Sequence, residues 1–376
     1  MMGAVARRRG VWHFARMPRA LAAAAALLFS TLTMPHAAAA PFTAGEAMRA
    51  TTSQSAAIRN HGNPALRILV WYPATATEHE VDFGPPGHPV FMTGQVAANA
   101  PFADAARHPL VLLSHGFGGV ARQLTWLGAA LARHGYVVVA VDHPGTNGRD
   151  GVTAEGAYAP WERVGDLTAA LDLVLADRQL GPHIDVARIG AAGFSLGGFT
   201  ASLLVGARTD FPHLTQFCNG PQRDAICDPQ LEFPTDLHQQ PAVLARPDMR
   251  DIVARRDSDF RDPRIKAAFL IAPALGQAMN QASLTQIHVP VEIALGDADP
   301  VAPPKTNGAF LARMIPGARL RLLPGVGHYD FLSECGAAGA TAAKAYCTDG
   351  RGTNRAQTHA ATIAEAITFF DATIAR

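Results

Sequence analysis

Gly193-Phe194-Ser195-Leu196-Gly197 joins two apolar stretches, Arg188–Phe194 before it and Leu196–Val205 after it. The first reads as a buried strand and the second as a helix, which places Ser195 at the bend between them. To present its hydroxyl at the carboxyl edge of a sheet, a serine there must sit in a sharp turn. Glycines two residues either side remove the Cβ atoms that such a turn would bring into collision. From nine serines and 34 glycines in 376 residues, chance alone gives about 0.07 such pentapeptides, before any demand for a flanking strand and helix. The pentapeptide therefore decides the fold class: it is the strand–turn–helix unit of an α/β sheet.

Outward from this bend, strands and helices alternate. Leu66–Tyr72 reads as a strand stopped by Pro73, and Leu110–Leu113 as a short strand running into His115-Gly116-Phe117-Gly118-Gly119. Leu124, Leu127, Ala130 and Leu131 recur at helical spacing before Gly135, a residue suited to a helix end. Tyr136–Val141 is apolar on both faces, the mark of a buried parallel strand. Val164, Leu167, Leu171 and Val174 form another helical face. Ile265–Ile271, Val289–Leu295 and Arg319–Leu323 are further strands, with helices expected over about 305–315 and 356–374. This alternation predicts an α/β architecture, a mostly parallel central sheet with helices on both faces. A stretch at about 208–263, rich in Pro, Asp, Gln and Arg, breaks the rhythm. It reads as an insertion on the rim, either a lid or a loop cluster pinned by its cysteines. No internal repeat or long linker divides the chain, so residues 40–376 are expected to form one domain.

A serine hydroxyl is a weak nucleophile at neutral pH and needs a base, which needs an orienting carboxylate. For a serine on this kind of elbow the expected chain order is Ser, then Asp or Glu, then His. Two loops follow predicted strands in that order. Gly296-Asp297-Ala298-Asp299-Pro300 comes after Val289–Leu295, and Pro324-Gly325-Val326-Gly327-His328-Tyr329 after Arg319–Leu323. Both lie past the carboxyl end of a strand, where open α/β sheets build their sites. Asp297 and Asp299 are both candidate acids. Of the 15 histidines, only His328 and His359 follow them, and His359 falls in the predicted final helix, so His328 is the candidate base. A tetrahedral intermediate also needs two fixed N–H donors. The N–H of Leu196, at the positive end of its helix, is one; the other belongs to the loop after Leu110–Leu113. That glycine-rich loop lacks the lysine of a phosphate-binding loop, and no Gly-x-Gly-x-x-Gly dinucleotide fingerprint is present.

With these segments in view, the chain resembles the α/β-hydrolase superfamily. Within it, the chain is similar to the exported dienelactone-hydrolase-like and platelet-activating-factor-acetylhydrolase-like serine esterases. The resemblance rests on Leu66–Tyr72 with Pro73, the His115–Gly119 loop, Val139-Ala140-Val141-Asp142-His143-Pro144-Gly145, the Gly193–Gly197 elbow, Phe269–Gly276 and the last two loops, covering roughly residues 64 to 376. It implies Ser195 as nucleophile, His328 as base and Asp299 as acid, the superfamily's acid standing three residues after the glycine that ends its strand. It also implies the Phe117 N–H as the second oxyanion donor. There are two departures. Dienelactone hydrolases proper carry a cysteine where Ser195 stands. Acetylhydrolases of the platelet-activating-factor type carry their acid after the preceding strand, where this chain has Ala272-Pro273-Ala274. The resemblance thus implies a carboxylester hydrolase working through an acyl-enzyme on small-molecule esters, without cofactor. Lipid or polymer esters, including aromatic polyesters, are the alternative substrates. A non-catalytic binding protein on the same fold is the alternative of another class.

Composition narrows the remaining possibilities. Apolar residues are 48% and charged residues 17%, against roughly 25% charged in typical soluble domains. The net charge of +1 carries no basic face for nucleic acid. Arg7, Arg8, Arg9, Arg16 and Arg19 precede an apolar run, Ala20–Phe29, and Ala37–Ala40 supply small residues for cleavage. Residues 1–39 therefore read as a signal peptide cut somewhere within 37–41, and the run is short of the about 20 residues that span a bilayer. A periplasmic or secreted protein is expected, with no stable membrane anchor after cleavage. In an oxidising compartment the four cysteines read as disulfides. The near pairings, Cys218 with Cys227 and Cys335 with Cys347, close their loops at least entropic cost. None forms a Cys-x-x-Cys pair and no histidine stands at zinc-like spacing beside them, so no metal site is expected.

Overall fold

The computed structural model of the chain describes residues 42–75, 79, 81–82, 90–232 and 239–375. The expected signal peptide, residues 1–39, lies outside them. Strands β1 (Thr43–Thr52), β2 (Ala65–Ala74), β3 (Val81–Asp82), β4 (Gln95–Ala98), β5 (His108–Ser114) and β6 (Val137–Asp142) lead into a small ribbon, β7 (Thr146–Asn147) and β8 (Gly151–Val152). Then come β9 (Ile184–Phe194), β10 (Ile265–Ile271), β11 (Val291–Gly296) and β12 (Arg319–Leu323). One sheet runs in the order β12-β11-β10-β9-β5-β6-β2-β1-β4-β3. From β12 across to β6 every neighbouring pair is parallel, whereas β6–β2 and β2–β1 are antiparallel.

The apolar strands read from the sequence are the middle of this sheet. Every residue of β5 and β6 is buried, which requires cover on both faces. The helix Thr125–Arg133 packs on β1, β2 and β6, Arg163–Ala176 on β6, Leu196–Leu204 on β5, β9 and β10, and Arg355–Thr373 on β10. Phe269 of β10 meets Phe369 and Phe370 of the last helix at ring-centroid distances of 5.9 and 6.2 Å. Removal of each such ring from water stabilises the fold by roughly 1.5–3 kcal/mol. At the edge, β12 exposes Arg319 and Arg321, charges that discourage another strand from pairing there.

Two local readings change. The strand expected to stop at Pro73 runs on to Ala74, with Pro73 opposite Ala44 and its carbonyl accepting the Ala103 N–H at 3.0 Å. A proline can lie in a ladder at the end of a strand, where its missing N–H costs little. Strand β1 carried no apolar periodicity, because Thr-Ala-Gly-Glu-Ala-Met-Arg-Ala-Thr-Thr is poor in β-formers. It forms through ten paired positions with β2, from Thr43 opposite Ala74 to Thr52 opposite Ala65. Its Glu46 is buried and accepts the Trp71 indole N–H at 3.0 Å and the Arg122 guanidinium at 2.9 and 2.5 Å.

The insertion, aperiodic in sequence, contains short helices at Phe211–Cys218, Gln240–Leu244 and Arg250–Ala254. It is tied down at Ile252, whose carbonyl accepts the Trp161 indole N–H at 3.0 Å, and at Asp224, which accepts the Thr306 hydroxyl. Cys218 is bonded to Cys227 and Cys335 to Cys347, with Cα–Cα distances of 5.4 and 5.8 Å. Among the described residues no helix is long and apolar enough to cross a membrane.

Candidate active site

At the end of β9 the backbone of Ser195 is held at φ 55° and ψ −117°, a conformation that costs about 1–3 kcal/mol for a residue with a side chain. The neighbouring glycines make room for this turn. A Cβ on Gly193 would lie 2.1 Å from the Gly197 carbonyl oxygen, and one on Gly197 would lie 2.0 Å from that of Ser114. The turn is closed by the Ser195 N–H donating to the Ile271 carbonyl of β10 at 2.9 Å. It is held from the other side by the Ser195 carbonyl, which accepts the Gly198 N–H at 2.9 Å. The side chain therefore stands over the carboxyl edge of the sheet.

Three of the predicted residues meet there. The Ser195 hydroxyl lies 2.9 Å from His328 Nε2, and His328 Nδ1 lies 2.6 Å from Asp299 Oδ2. All three are at least nine-tenths buried. Asp299 Oδ1 accepts the N–H groups of Val301 and Ala302 at 2.9 and 2.8 Å, so the carboxylate is fixed by its own loop. Asp297, the other candidate, points elsewhere: its Oδ1 accepts the exposed Gly325 N–H at 2.7 Å. His359 is likewise distant in role, its Nε2–H donating to the Leu332 carbonyl at 2.9 Å while the ring stacks on Trp126. Burial disfavours the charged form of His328, but the Asp299 charge, its hydrogen bond and Glu232 outweigh that and hold its pKa above the usual histidine value.

The loop after β5 stands opposite. Gly116 and Phe117 line one cavity with Ser195 and His328, about 360 Å³ in volume. A layer of buried polar groups beneath them was not read from the sequence. The His143 backbone N–H donates to His115 Nε2 at 3.1 Å, which leaves His115 Nδ1 as the donor to the Gly116 carbonyl at 2.6 Å. Arg163, wholly buried, donates to the His115 carbonyl, to Ser114 Oγ at 3.1 Å and to Thr146 Oγ1 at 2.7 Å. His143 bridges Ser114 Oγ and Asp166 Oδ2, both at 2.9 Å, and Asp166 is paired with Arg59 at 2.6 Å. Burial, then the positive charge of Arg163, push His115 and His143 well below the ordinary histidine range, so both are neutral at working pH. The signal that could have found this layer is Arg163 and Asp166 placed around Val164 and Leu167 on an otherwise apolar helix face.

His328 is braced from its far side. Asp330, two residues on from His328, accepts N–H groups from Gly327 at 3.0 Å and Gly350 at 3.1 Å, and the Thr353 hydroxyl at 3.0 Å. Tyr346, beside Cys347, packs edge-on to Tyr329 with centroids 5.0 Å apart. The Cys335–Cys347 bond closes the segment that carries Tyr346 and leads on to Gly350 and Thr353, a loop of 12 positions worth on the order of 3 kcal/mol by chain entropy. Cys335→Ser is expected to lower both Tm and kcat, because a base displaced by even about 1 Å loses rate steeply. Cys218→Ser, in the insertion, is expected to act mainly on Tm. Thermal melts beside steady-state kinetics check this, and unchanged kcat in Cys335→Ser refutes the bracing role.

Among the described residues no group of three or more His, Cys, Asp or Glu is placed to hold a metal ion. The model of the alpha/beta hydrolase family matches residues 110–342. Cutinase est1 of Thermobifida alba is 32% identical over 102 residues, 27% of this chain and 31% of that protein. Cutinase cut1 of Thermobifida fusca is 31% identical over 102 residues, 27% of this chain and 29% of that protein. The match thus spans less than a third of the cutinases' own length. A ferulic acid esterase from Streptomyces cinnamoneus shares the fold, with a TM-score of 0.59 at 20% identity over 90% of this chain and 91% of that one.

Proposed function

The chain belongs to the alpha/beta hydrolase family, and from that premise we propose that it is an exported serine carboxylester hydrolase. The observation that carries this reading is the unbroken line of hydrogen bonds from Ser195 Oγ through His328 to Asp299 at the wall of an open cavity. In this reading the ester carbonyl sits between Ser195 and the N–H groups of Phe117 and Leu196. Ser195 Oγ attacks while its proton passes to His328 Nε2, and the oxyanion is met by the two N–H donors. Asp299 stabilises the imidazolium through Nδ1. His328 then hands the proton to the leaving alcohol, leaving Ser195 acylated. Water enters, gives its proton to His328 and releases the acid, and the serine recovers its proton. Phe91, Phe117, Phe194 and Leu332 make much of the cavity wall apolar, which suits an acyl chain or an aromatic ring.

Polymeric esters are a second reading, supported by the identity to cutinases over 102 residues and by the open cavity. Export is supported by the basic then apolar amino-terminal stretch and by the two disulfides. A panel of p-nitrophenyl esters from acetate to palmitate, run beside a polyester film, tests the activity and separates the two readings. Covalent labelling by a fluorophosphonate separates an enzyme from a binding protein. If neither hydrolysis nor labelling occurs, the esterase reading is wrong.

The pH dependence follows from the base. Only neutral His328 accepts the serine proton, and its pKa is raised above 6.5 by Asp299 against the opposing effect of burial. Activity should therefore be low in acid and rise with pH through a midpoint above 6.5, read from kcat/KM, which reports the free enzyme. His115 and His143, held neutral, contribute no second limb there. A profile flat down to pH 5 would remove His328 from the role of base.

A further inference from the structure

The insertion places one carboxylate in the cavity. Leu231 and Glu232 line it together with Ser195, His328 and Tyr329. Glu232 is half-buried, and its Oε2 accepts the Tyr329 hydroxyl, a bond that suits an ionised carboxylate. The contact joins positions 97 apart in the chain, so the insertion is fixed to the residue that follows the base. Among the described residues lining the cavity there is no Lys or Arg, and its other ionisable members are His115, His328, Tyr329 and Tyr346. His115 is neutral, and burial raises both tyrosines, keeping their hydroxyls protonated. In the resting site Glu232 is then a carboxylate on an apolar wall, and among the described lining residues the one group whose positive form it favours is His328.

Building on the esterase reading, we propose that Glu232 makes this site sort esters by charge, accepting uncharged esters and rejecting those that carry a carboxylate on the acyl chain. A neutral diester of a dicarboxylic acid is then cut once. One water is consumed, one alcohol leaves, and the new carboxylic acid ionises and gives up a proton. The half-ester is an anion that Glu232 repels, so it departs rather than being cut again. A second hydrolase, one that accepts anionic half-esters, must consume it.

The test compares p-nitrophenyl methyl glutarate with p-nitrophenyl hydrogen glutarate, near pH 8, where the second is an anion. The apolar wall alone disfavours an anion, so the decisive quantity is how the ratio of the two kcat/KM values changes on substitution. Glu232→Gln keeps the acceptor for Tyr329 and removes the charge. It is expected to lower the neutral-to-anionic ratio about tenfold. Glu232→Asp keeps the charge and should keep the ratio within about twofold. A ratio unchanged in Glu232→Gln, or lowered as far by Glu232→Asp, overturns the proposal while leaving the esterase reading intact. If the wild-type protein cleaves neither ester, the esterase reading itself fails, and this inference with it.

Discussion

Ser195→Ala is expected to lower kcat by on the order of 10⁴-fold or more while the protein stays folded. The hydroxyl makes one side-chain contact, to His328 Nε2 at 2.9 Å, and that contact matters when the proton moves rather than when the chain folds. The features that shape the turn are backbone ones: the Ser195 N–H bonded to Ile271, its carbonyl bonded to Gly198, and the glycines at 193 and 197. Alanine keeps all of them, and at φ 55° it bears the same strain as serine. Tm should therefore shift by no more than the effect of about 1 kcal/mol, typical of a mild substitution. In the proposed triad the nucleophile, base and acid act as a unit, so a double variant lacking Ser195 and His328 should be little worse than either single one. Hydrolysis of p-nitrophenyl butyrate measures the loss. A variant keeping more than about a tenth of the wild-type rate would show that another group attacks the ester.

What could be read in the sequence, and what could not, divides along a physical line. β5, β6, β9, β10 and β11 were visible because strands buried on both faces must be continuously apolar, and loops with glycine follow several of them. Ser195 and His328 were visible because the elbow needs its glycines and few histidines follow the acids in the chain. Asp299 was preferred over Asp297 only through resemblance. The structure gives the physical ground, since Asp299 alone of the two accepts N–H bonds from Val301 and Ala302 while facing His328. β1 was hidden because its pairing with β2 is a matter of backbone hydrogen bonds, to which Ala and Gly contribute as well as Val. The Arg163, His143 and Asp166 layer was hidden because charged residues on a helix are normally solvated. Their burial becomes favourable only once each donor meets an acceptor, which is a property of the assembled fold. Glu232 was hidden for a related reason: it lies in an aperiodic segment and reaches the site only through space.

Asp299→Asn is expected to cost roughly 10³–10⁴-fold in kcat, nearly as much as loss of the nucleophile, although the substitution changes hardly any volume. The reason lies in the loop. Two N–H groups, from Val301 and Ala302, aim at Oδ1 of residue 299 at 2.9 and 2.8 Å. Asparagine can satisfy them only by putting its carbonyl oxygen there, which turns its NH₂ toward His328 Nδ1. That nitrogen must then be the acceptor, and the ring's single proton moves to Nε2. The tautomer is wrong for accepting the proton of Ser195, whose Oγ sits 2.9 Å from Nε2. The imidazolium formed during attack also loses its balancing charge. With the raising influence of Asp299 gone and burial still opposing the charged ring, the residual activity should have its acid limb shifted to lower pH. Asp297→Asn is the matched control. Its carboxylate meets only the exposed Gly325 N–H, so kcat should stay within about threefold of wild type. A pH–rate profile of both variants on one p-nitrophenyl ester decides the point. Equal losses at 297 and 299, or an unmoved acid limb in Asp299→Asn, would take Asp299 out of the triad.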